Sequence, residues 1–337
     1  MKKNQSALKK YIVADKYGDM SVEDYLKSVM KVSSRHRQRL FRSRNVFVNG
    51  RPIHSKQRVK GGDLVAIRLF ADASYGVTPQ IGPVEVLYED EAVIVLNKPV
   101  NMLVHPAGQT DRFTLANYLA GYFQAKGQII TIRPLHRLDR DTTGCVLFAK
   151  KPEYQTKLEA QLKAHTLHRF YKALVMGQGI MEEYPDGILE GNIAKVPGQP
   201  NRRRVEDKGR PAVTHFKLVE EFGPFTLLEL WLETGRTHQI RVHMDYAGHP
   251  VLGDKMYGTP SRLINRQALH ASAIQFQHPV TGQMVEVSAP LPADITSCIE
   301  QIRGAFIQAK GTLSRAKGTL SRAKGVFPQI KGAHTPD

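Results

Sequence analysis

The stretch LHRLDRDTTGCVLFAK, residues 135–150, sets five ionisable side chains among its first seven positions and then turns small and apolar. Residues 144–149, GCVLFA, are a short continuous apolar run entered through glycine, the pattern of a fully buried strand. Gly144 permits the sharp turn such an entry needs. Arg137, Asp139, Arg140 and Asp141 therefore stand on the doorstep of a core. Asp139 admits two readings: a surface carboxylate in a turn, or one held at the core edge for chemistry. Burial favours the protonated acid, whereas an arginine fixed beside it favours the carboxylate. With that arginine in place, Asp139 serves as a nucleophile or base. Thr142 and Thr143 offer hydroxyls to nearby carboxylates or backbone.

Two further segments carry candidate chemistry. In LETGRTHQIRVHMDYAGHPVLGD, residues 232–254, the alternation across HQIRV reads as a strand, with Arg236 in the turn that enters it. His238 and His243, five apart, would then point to opposite faces, which is poor geometry for a shared metal. RFYKALVMG places Tyr171 at the start of another strand. An aromatic there is core packing unless it faces a nucleobase.

Around these segments strands dominate. VEVLYEDEAVIVLNKP suggests two strands about an acidic turn, and FTLLELWLE, ASAIQFQHP and MVEVSAPLP suggest three more. EYQTKLEAQLKAH reads as a helix with Leu158 and Leu162 on one side. Without strict strand–helix alternation, the expected fold class is α+β: a mixed, mainly antiparallel sheet with helices against it. No glycine-rich nucleotide loop is present, and neither cofactor nor metal is expected.

The 337 residues carry 48 Lys/Arg against 31 Asp/Glu, net +17. Residues 1–70 hold 17 basic and 5 acidic side chains, residues 301–337 hold 7 and 1, and the middle holds 24 and 25. A near-neutral body with two basic ends suits a polyanion, most simply nucleic acid. Cys145 and Cys298 make no disulfide framework and read as packing residues. No apolar run reaches the ~18 residues of a membrane span, and MKKNQSALKK lacks a signal-peptide core. A cytoplasmic setting, with no membrane, fits.

Residues 1–17 read as a basic arm. MSVEDYLKSVMK follows with a capping box, Ser21 and Asp24, and Val22, Tyr25, Leu26, Val29 and Met30 at helical spacing. A second helix, SSRHRQRLFRSR, is capped by Ser33 or Ser34, turns Leu40 and Phe41 to the core, and sets Arg35, Arg39 and Arg42 on one face. Their mutual repulsion would be relieved by a phosphate backbone; the bland alternative is a solvated face. VFVNGRPI signals a tight hairpin at Asn49-Gly50, and GGDLVAIRL a further strand. Residues 71–83 read as a linker, and the repeat AKGTLSRAKGTLSRAKG, residues 309–325, as part of a disordered basic tail over 309–337.

The arginine-rich helix, the VNG turn and the GD-plus-strand ending resemble the small S-four-type RNA-binding domain, assigned here to residues 18–70 as a compact α/β module. HRLDRDTTG, ETGRTHQIRVHM, LNKPVNMLVHP and LHASAIQFQHP resemble the signatures of the RluA-type pseudouridine synthases, which act on large-subunit ribosomal RNA and some transfer RNAs. The resemblance covers about residues 84–295, and a catalytic domain over 84–308 is expected. It implies isomerisation of uridine to pseudouridine without a cofactor, RNA as partner, and ribosomal RNA as the substrate ahead of transfer RNA. It implies that Asp139 is the catalytic carboxylate, Arg236 its ion-pair partner and Tyr171 the base-stacking aromatic. Arg137 would fill the gap left by an extruded base, and Ile240 would lie beneath the uracil. Thr143 and Arg169 depart from the commoner serine and lysine but keep hydroxyl and charge. The competing readings are a noncatalytic RNA-binding assembly factor and a base-releasing glycosylase. The oligomeric state is not written in the sequence.

Overall fold

The computed structural model describes residues 8–32, 34–68 and 72–323. The chain divides into two compact units, residues 1–73 and 74–337.

The first unit holds strand β1 (Leu8–Ile12), helices α1 (Val22–Ser28) and α2 (Ser34–Arg42), and strands β2 (Val46–Val48), β3 (Arg51–Pro52) and β4 (Leu64–Arg68). The strands form one antiparallel sheet in the order β1-β4-β2-β3. Val22, Tyr25 and Leu26 of α1 bury against Leu40 of α2 and against Val46, Val65 and Ile67 of the sheet, as the helical spacing predicts. The Ser21 hydroxyl caps α1 by accepting from the Asp24 N–H at 3.1 Å. It also donates to the Asp24 carboxylate at 2.6 Å, so the return bond of a full capping box is replaced. Asn49 and Gly50 both have positive φ, 48° and 80°, the backbone of a tight primed hairpin turn. The sequence-expected basic arm is not all arm: β1 pairs along β4, and Asp15–Tyr17 form a short 3₁₀ turn. Ser34 is the first residue of α2 rather than its cap, and Ser33 lies outside the described residues.

The second unit begins with residues 74–83, the greater part of the segment 71–83 expected as a linker. It lies along the body: the Ile132 N–H donates to the Tyr75 carbonyl and the Gln80 N–H to the Asn117 carbonyl, 2.9 and 3.0 Å. Tyr75 and Val77 pack on the core. There follow β5 (Val86–Glu89), β6 (Val93–Lys98), α3 (Leu115–Ala125), β7 (Thr143–Ala149), α4 (Pro152–Lys163), β8 (His168–Met176), α5 (Ile180–Glu183), β9 (Ile188–Val196), β10 (Gln199–Val205), β11 (Arg210–Phe222), β12 (Phe225–Leu232), α6 (Gln239–Tyr246), β13 (Leu269–Gln277), β14 (Met284–Ser288) and α7 (Ala293–Ala323).

Ten strands make one sheet, in the order β10-β9-β11-β12-β8-β13-β7-β6-β5, with β14 on β13. The class is α+β and mainly antiparallel, as expected; β13 and β7 are a parallel pair. Alternate residues feed opposite layers. Ile94, Leu96, Val146 and Phe148 join Leu115 and Phe123 of α3, Ile240 and Met244 of α6, and Ile295 and Ile302 of α7. Val93, Val95, Cys145 and Leu147 join Leu158 of α4 with Ile274 and Phe276. The sheet centre is thus covered on both faces, and every residue of β7 is buried.

Two expectations change. HQIRV is not a strand but the first part of α6. Ile240, Met244 and Ala247 recur at helical spacing, and burying that stripe overrides the short alternation. The tail repeat continues α7 as helix to Ala323. Each glycine costs about 1 kcal/mol there, but Ala, Leu, Lys and Arg favour helix and a packed segment upstream supplies the nucleus. Residues 324–337 lie outside the described residues. Cys145 and Cys298 are free and buried, and burial pushes their thiols up to about 12 and about 11. Among the described residues no helix is long and apolar enough to cross a membrane.

Gly144 has φ +110°, and a Cβ there would run into the Ala271 carbonyl of the parallel partner strand. Gly144→Ala should therefore lower stability by about 2–4 kcal/mol, read by urea denaturation. A shift below about 0.5 kcal/mol would show that β7 and β13 can part freely at this point.

Candidate active site

The segment 135–142 enters β7 on one wall of a cleft of about 610 Å³. Arg169 and Tyr171 of β8 and residues 232–241, which turn from β12 into α6, make other walls. Asp139, Arg137, Tyr171, Arg236 and Ile240 all line it, so the structure brings these expected residues together. Arg35, Arg39 and Arg42 belong to the other unit. Arg39 and Arg42 are exposed on α2, and the Arg35 side chain lies outside the described residues.

The expected partner of Asp139 is corrected. Arg241 Nη1 donates to Asp139 Oδ2 at 2.9 Å, whereas Arg236 Nε donates to the Pro211 carbonyl at 3.0 Å. The helix explains the exchange. His238 takes φ +60° as the chain turns into α6, leaving Arg236 on the partly exposed turn and carrying Arg241 inward.

Arg241 is held from behind. Its Nε and Nη2 donate to Asp254 Oδ2 and Oδ1 at 2.6 and 2.8 Å, a bidentate pair in which Asp254 is 0% exposed. Burial alone would raise the Asp254 carboxyl, but hydrogen bonds from Arg241 and from the Met256 and Tyr257 N–H groups outweigh it and hold it below the usual range. The Tyr257 ring lies 5.0 Å from the Arg241 guanidinium carbon. Its hydroxyl accepts from the Arg203 N–H at 2.8 Å and lies 2.9 Å from His238 Nδ1. Burial, with Arg241 and Arg203 adding to it against Asp139, pushes His238 below the ordinary imidazole range. His238 Nε2 lies 3.9 Å from Asp139 Oδ1.

The backbone beside Asp139 is fixed as well. Lys98 Nζ, on a fully buried side chain, donates to the carbonyls of Pro99, Met102 and Arg140, each at 2.8 Å. The Met102 N–H shares the Arg140 carbonyl at 3.1 Å, and Arg266 Nη1 donates to the Asp141 carbonyl at 2.9 Å. Burial pushes Lys98 down to about 7, opposed by Asp141 and Asp139. Thr142 and Thr143 bond to Gln267 and His270, not to a carboxylate. Arg137 is exposed and, among the described residues, unpaired. Tyr171 is 4% exposed at the cleft wall, and burial raises its phenol.

Arg241, Asp254, Tyr257 and Lys98 are the site residues that sequence reasoning missed, and His238 was weighed only as a metal ligand. A helical reading of 239–246, with Ile240, Met244 and Ala247 on one face, was the available signal for Arg241. Lys98 lay inside the LNKP match. Asp254 and Tyr257 carried no local signal. His243 is buried in α6 beside the Gly191 carbonyl, 3.4 Å away. Among the described residues no cluster of three or more His, Cys, Asp or Glu is arranged to hold a metal.

A family model described as RNA pseudouridylate synthase matches residues 92–246. The chain is 39% identical over 272 residues to the uncharacterized RNA pseudouridine synthase YhcT of Bacillus subtilis (strain 168), across 80% of this chain and 89% of that one. It is 36% identical over 276 residues to ribosomal large subunit pseudouridine synthase D of Escherichia coli (strain K12), across 77% of this chain and 83% of that one. Among solved structures, human RNA pseudouridylate synthase domain containing 4 shares the fold with a TM-score of 0.52 at 21% identity, covering 65% of this chain and 93% of that one.

Arg241→Met strands the buried Asp254 carboxylate and frees Asp139, and should cost about 3–5 kcal/mol of stability. Arg236→Ala, which breaks one bond on the rim, should cost about 1 kcal/mol or less. Denaturant titration of both variants compares them, and equal losses would refute the exchange of roles. Lys98 supplies a pH signature. Its folded value of about 7 lies below the 10.5 of a free lysine, so between these limits the unfolded chain binds more protons and stability rises with pH. Lys98→Met should flatten that rise between about pH 7 and 9.5, and an unaltered slope would contradict it.

Proposed function

This chain belongs to the RNA pseudouridylate synthase family and is an RNA pseudouridine synthase, and from that premise we propose that it isomerises chosen uridines of a structured RNA with Asp139 as the catalytic carboxylate. We favour large-subunit ribosomal RNA as the substrate, because the Escherichia coli relative is named for it; transfer RNA is the alternative. One observation carries the role of Asp139. It is the carboxylate in the cleft wall that takes one arm of a buried guanidinium while keeping its side chain 24% exposed toward the cavity.

The reaction breaks the bond from the sugar to the ring nitrogen, turns the uracil over and joins its carbon 5 to the sugar. No atom is lost and no electron is transferred. A stacked base hides both centres, so the nucleotide must swing out at a cost of a few kcal/mol. Stacking on Tyr171 offsets about 1–3 kcal/mol of this. Ile240 supplies an apolar floor, and the exposed Arg137 takes the place of the displaced base. Attack on the sugar, attack on the ring and proton abstraction all need one carboxylate oxygen aimed at one point. Arg241 on Oδ2, with His238 facing Oδ1, provides that aim. The basic first unit, read as an S-four-type domain, adds phosphate contacts through Arg35, Arg39 and Arg42.

Asp139→Asn keeps the size of the side chain and removes its charge. It should lower pseudouridine formation by at least about a thousandfold while RNA binding persists. The assay is nucleoside analysis of a treated ribosomal RNA transcript. Near-normal turnover would overturn the role of Asp139, and free uracil in place of pseudouridine would overturn the reaction.

A further inference from the structure

The middle of the chain is near neutral in sum, yet β10 carries three consecutive arginines, Arg202, Arg203 and Arg204, on the edge of the large sheet. The β9–β10 hairpin is not a loose flap. Ile193 and Val205 pack with Val242 of α6 and with Tyr257, so the hairpin is seated on the helix that carries Arg241. The Arg203 N–H donates to the Tyr257 hydroxyl at 2.8 Å, and the Arg202 guanidinium carbon lies 5.7 Å from the centre of the same ring. That ring also contacts Arg241 and His238, both of which reach Asp139. Two of the three arginines are therefore tied, through one tyrosine, to the group that does the chemistry.

The three guanidinium groups differ in what they already hold. Arg204 is spent on Glu206, with Nε at 3.1 Å and Nη2 at 2.9 Å from its two oxygens. Arg203 donates Nη1 to the carbonyls of Pro200 and Arg202, 2.8 and 2.9 Å, which fixes its direction and leaves its charge uncompensated. Arg202 is exposed, and it makes no ion pair among the described residues; Asp245 feels its charge without pairing to it. Two unneutralised guanidinium groups on one edge, one held in direction by two carbonyls and both borne by residues in contact with a tyrosine that reaches the site, suit phosphate oxygens.

We propose that Arg202 and Arg203 form a phosphate-binding edge that grips the RNA backbone flanking the extruded uridine, using Tyr257 to register that grip on Asp139. This rests on the reading above that RNA is the substrate. It adds a binding element in the catalytic unit, separate from the basic first unit. The competing use of arginines on an edge strand is to block edge-to-edge association. That use needs charge on the edge but no connection to Tyr257.

The test uses the full chain and a transcript of bacterial large-subunit ribosomal RNA. Binding is titrated from about 50 to 300 mM salt, and pseudouridine formation is followed on the same transcript. The R202A/R203A double variant should lower the magnitude of the salt slope by about 1.4, for two lost phosphate contacts, and raise KM about tenfold. R204A should leave slope and KM within about twofold of the wild type, because Glu206 already neutralises it. A wild-type slope and KM in the double variant would overturn the proposal, as would aggregation of the double variant with an unchanged slope. A wild-type chain that leaves the transcript unmodified would instead remove the substrate reading on which the proposal rests.

Discussion

A single buried guanidinium holds together three distant parts of this chain. Arg241 comes from α6, Asp139 from the segment before β7 and Asp254 from the loop after α6. Burial works against its charge, and the two carboxylates more than restore it. Ion pairs of this kind contribute little net stability, since desolvation cancels most of the attraction. Their value here is directional. The planar fork gives Asp254 two bonds and leaves one arm for Asp139, so the orientation of the outer carboxylate is inherited from the inner one.

That side-chain restraint would be of little use on a mobile backbone. The Arg140 carbonyl accepts from both Lys98 and Met102, and the Asp141 carbonyl accepts from Arg266. Two residues downstream of Asp141 the chain enters β7, where Gly144 lets the backbone pass against Ala271 at the parallel junction. The segment 139–144 is thus fixed at its carbonyls, at one side chain and at a strand crossing. Arg137, only two residues upstream of Asp139, is exposed and unpaired among the described residues. On the proposed function this division is what the reaction requires: a rigid acid, and a free arginine that can enter the space a base has left.

Much of this frame is legible in the sequence. Apolar runs and alternation mark β6, β7, β8, β12 and β13 because those strands bury one or both faces. The Asn49-Gly50 turn is marked because few residue pairs accept two positive φ values. The α6 segment is not legible by the same means. In HQIRV, Ile240 and Val242 satisfy a period of two, while Ile240, Met244 and Ala247 satisfy a helix, and a short window cannot separate the two. Reading a strand there hid the inward turn of Arg241, and the pairing expected for Arg236 came from the family resemblance, not from the period. Asp254 was illegible for another reason: a lone acid in a loop shows its worth only when a distant guanidinium is folded onto it. The tail repeat failed in the opposite direction. Alone it reads as a disordered basic tail, but up to Ala323 it continues a helix already anchored upstream by Ile295, Ile299 and Ile302.

Charge illustrates the same gap between sum and place. Over residues 71–300 basic and acidic side chains nearly cancel, which reads as a body indifferent to a polyanion. In three dimensions the cancellation is uneven. Many acids of the second unit are committed: Glu89 to Lys150, Lys126 and the Tyr122 hydroxyl, Glu206 to Arg204, Glu220 to Arg303, and Asp294 to Arg266. Arg202, Arg203 and Arg137 have no such carboxylate partner among the described residues, and two of them connect by one or two contacts to the Asp139 cluster. An enzyme acting on a folded RNA needs this arrangement more than it needs a high net charge. Attraction spread evenly over the surface would hold the RNA in any register. On the proposed function, unspent guanidinium groups in the cleft and on the hairpin tied to it, Arg137, Arg202 and Arg203 among them, favour the register in which a uridine stands over Asp139.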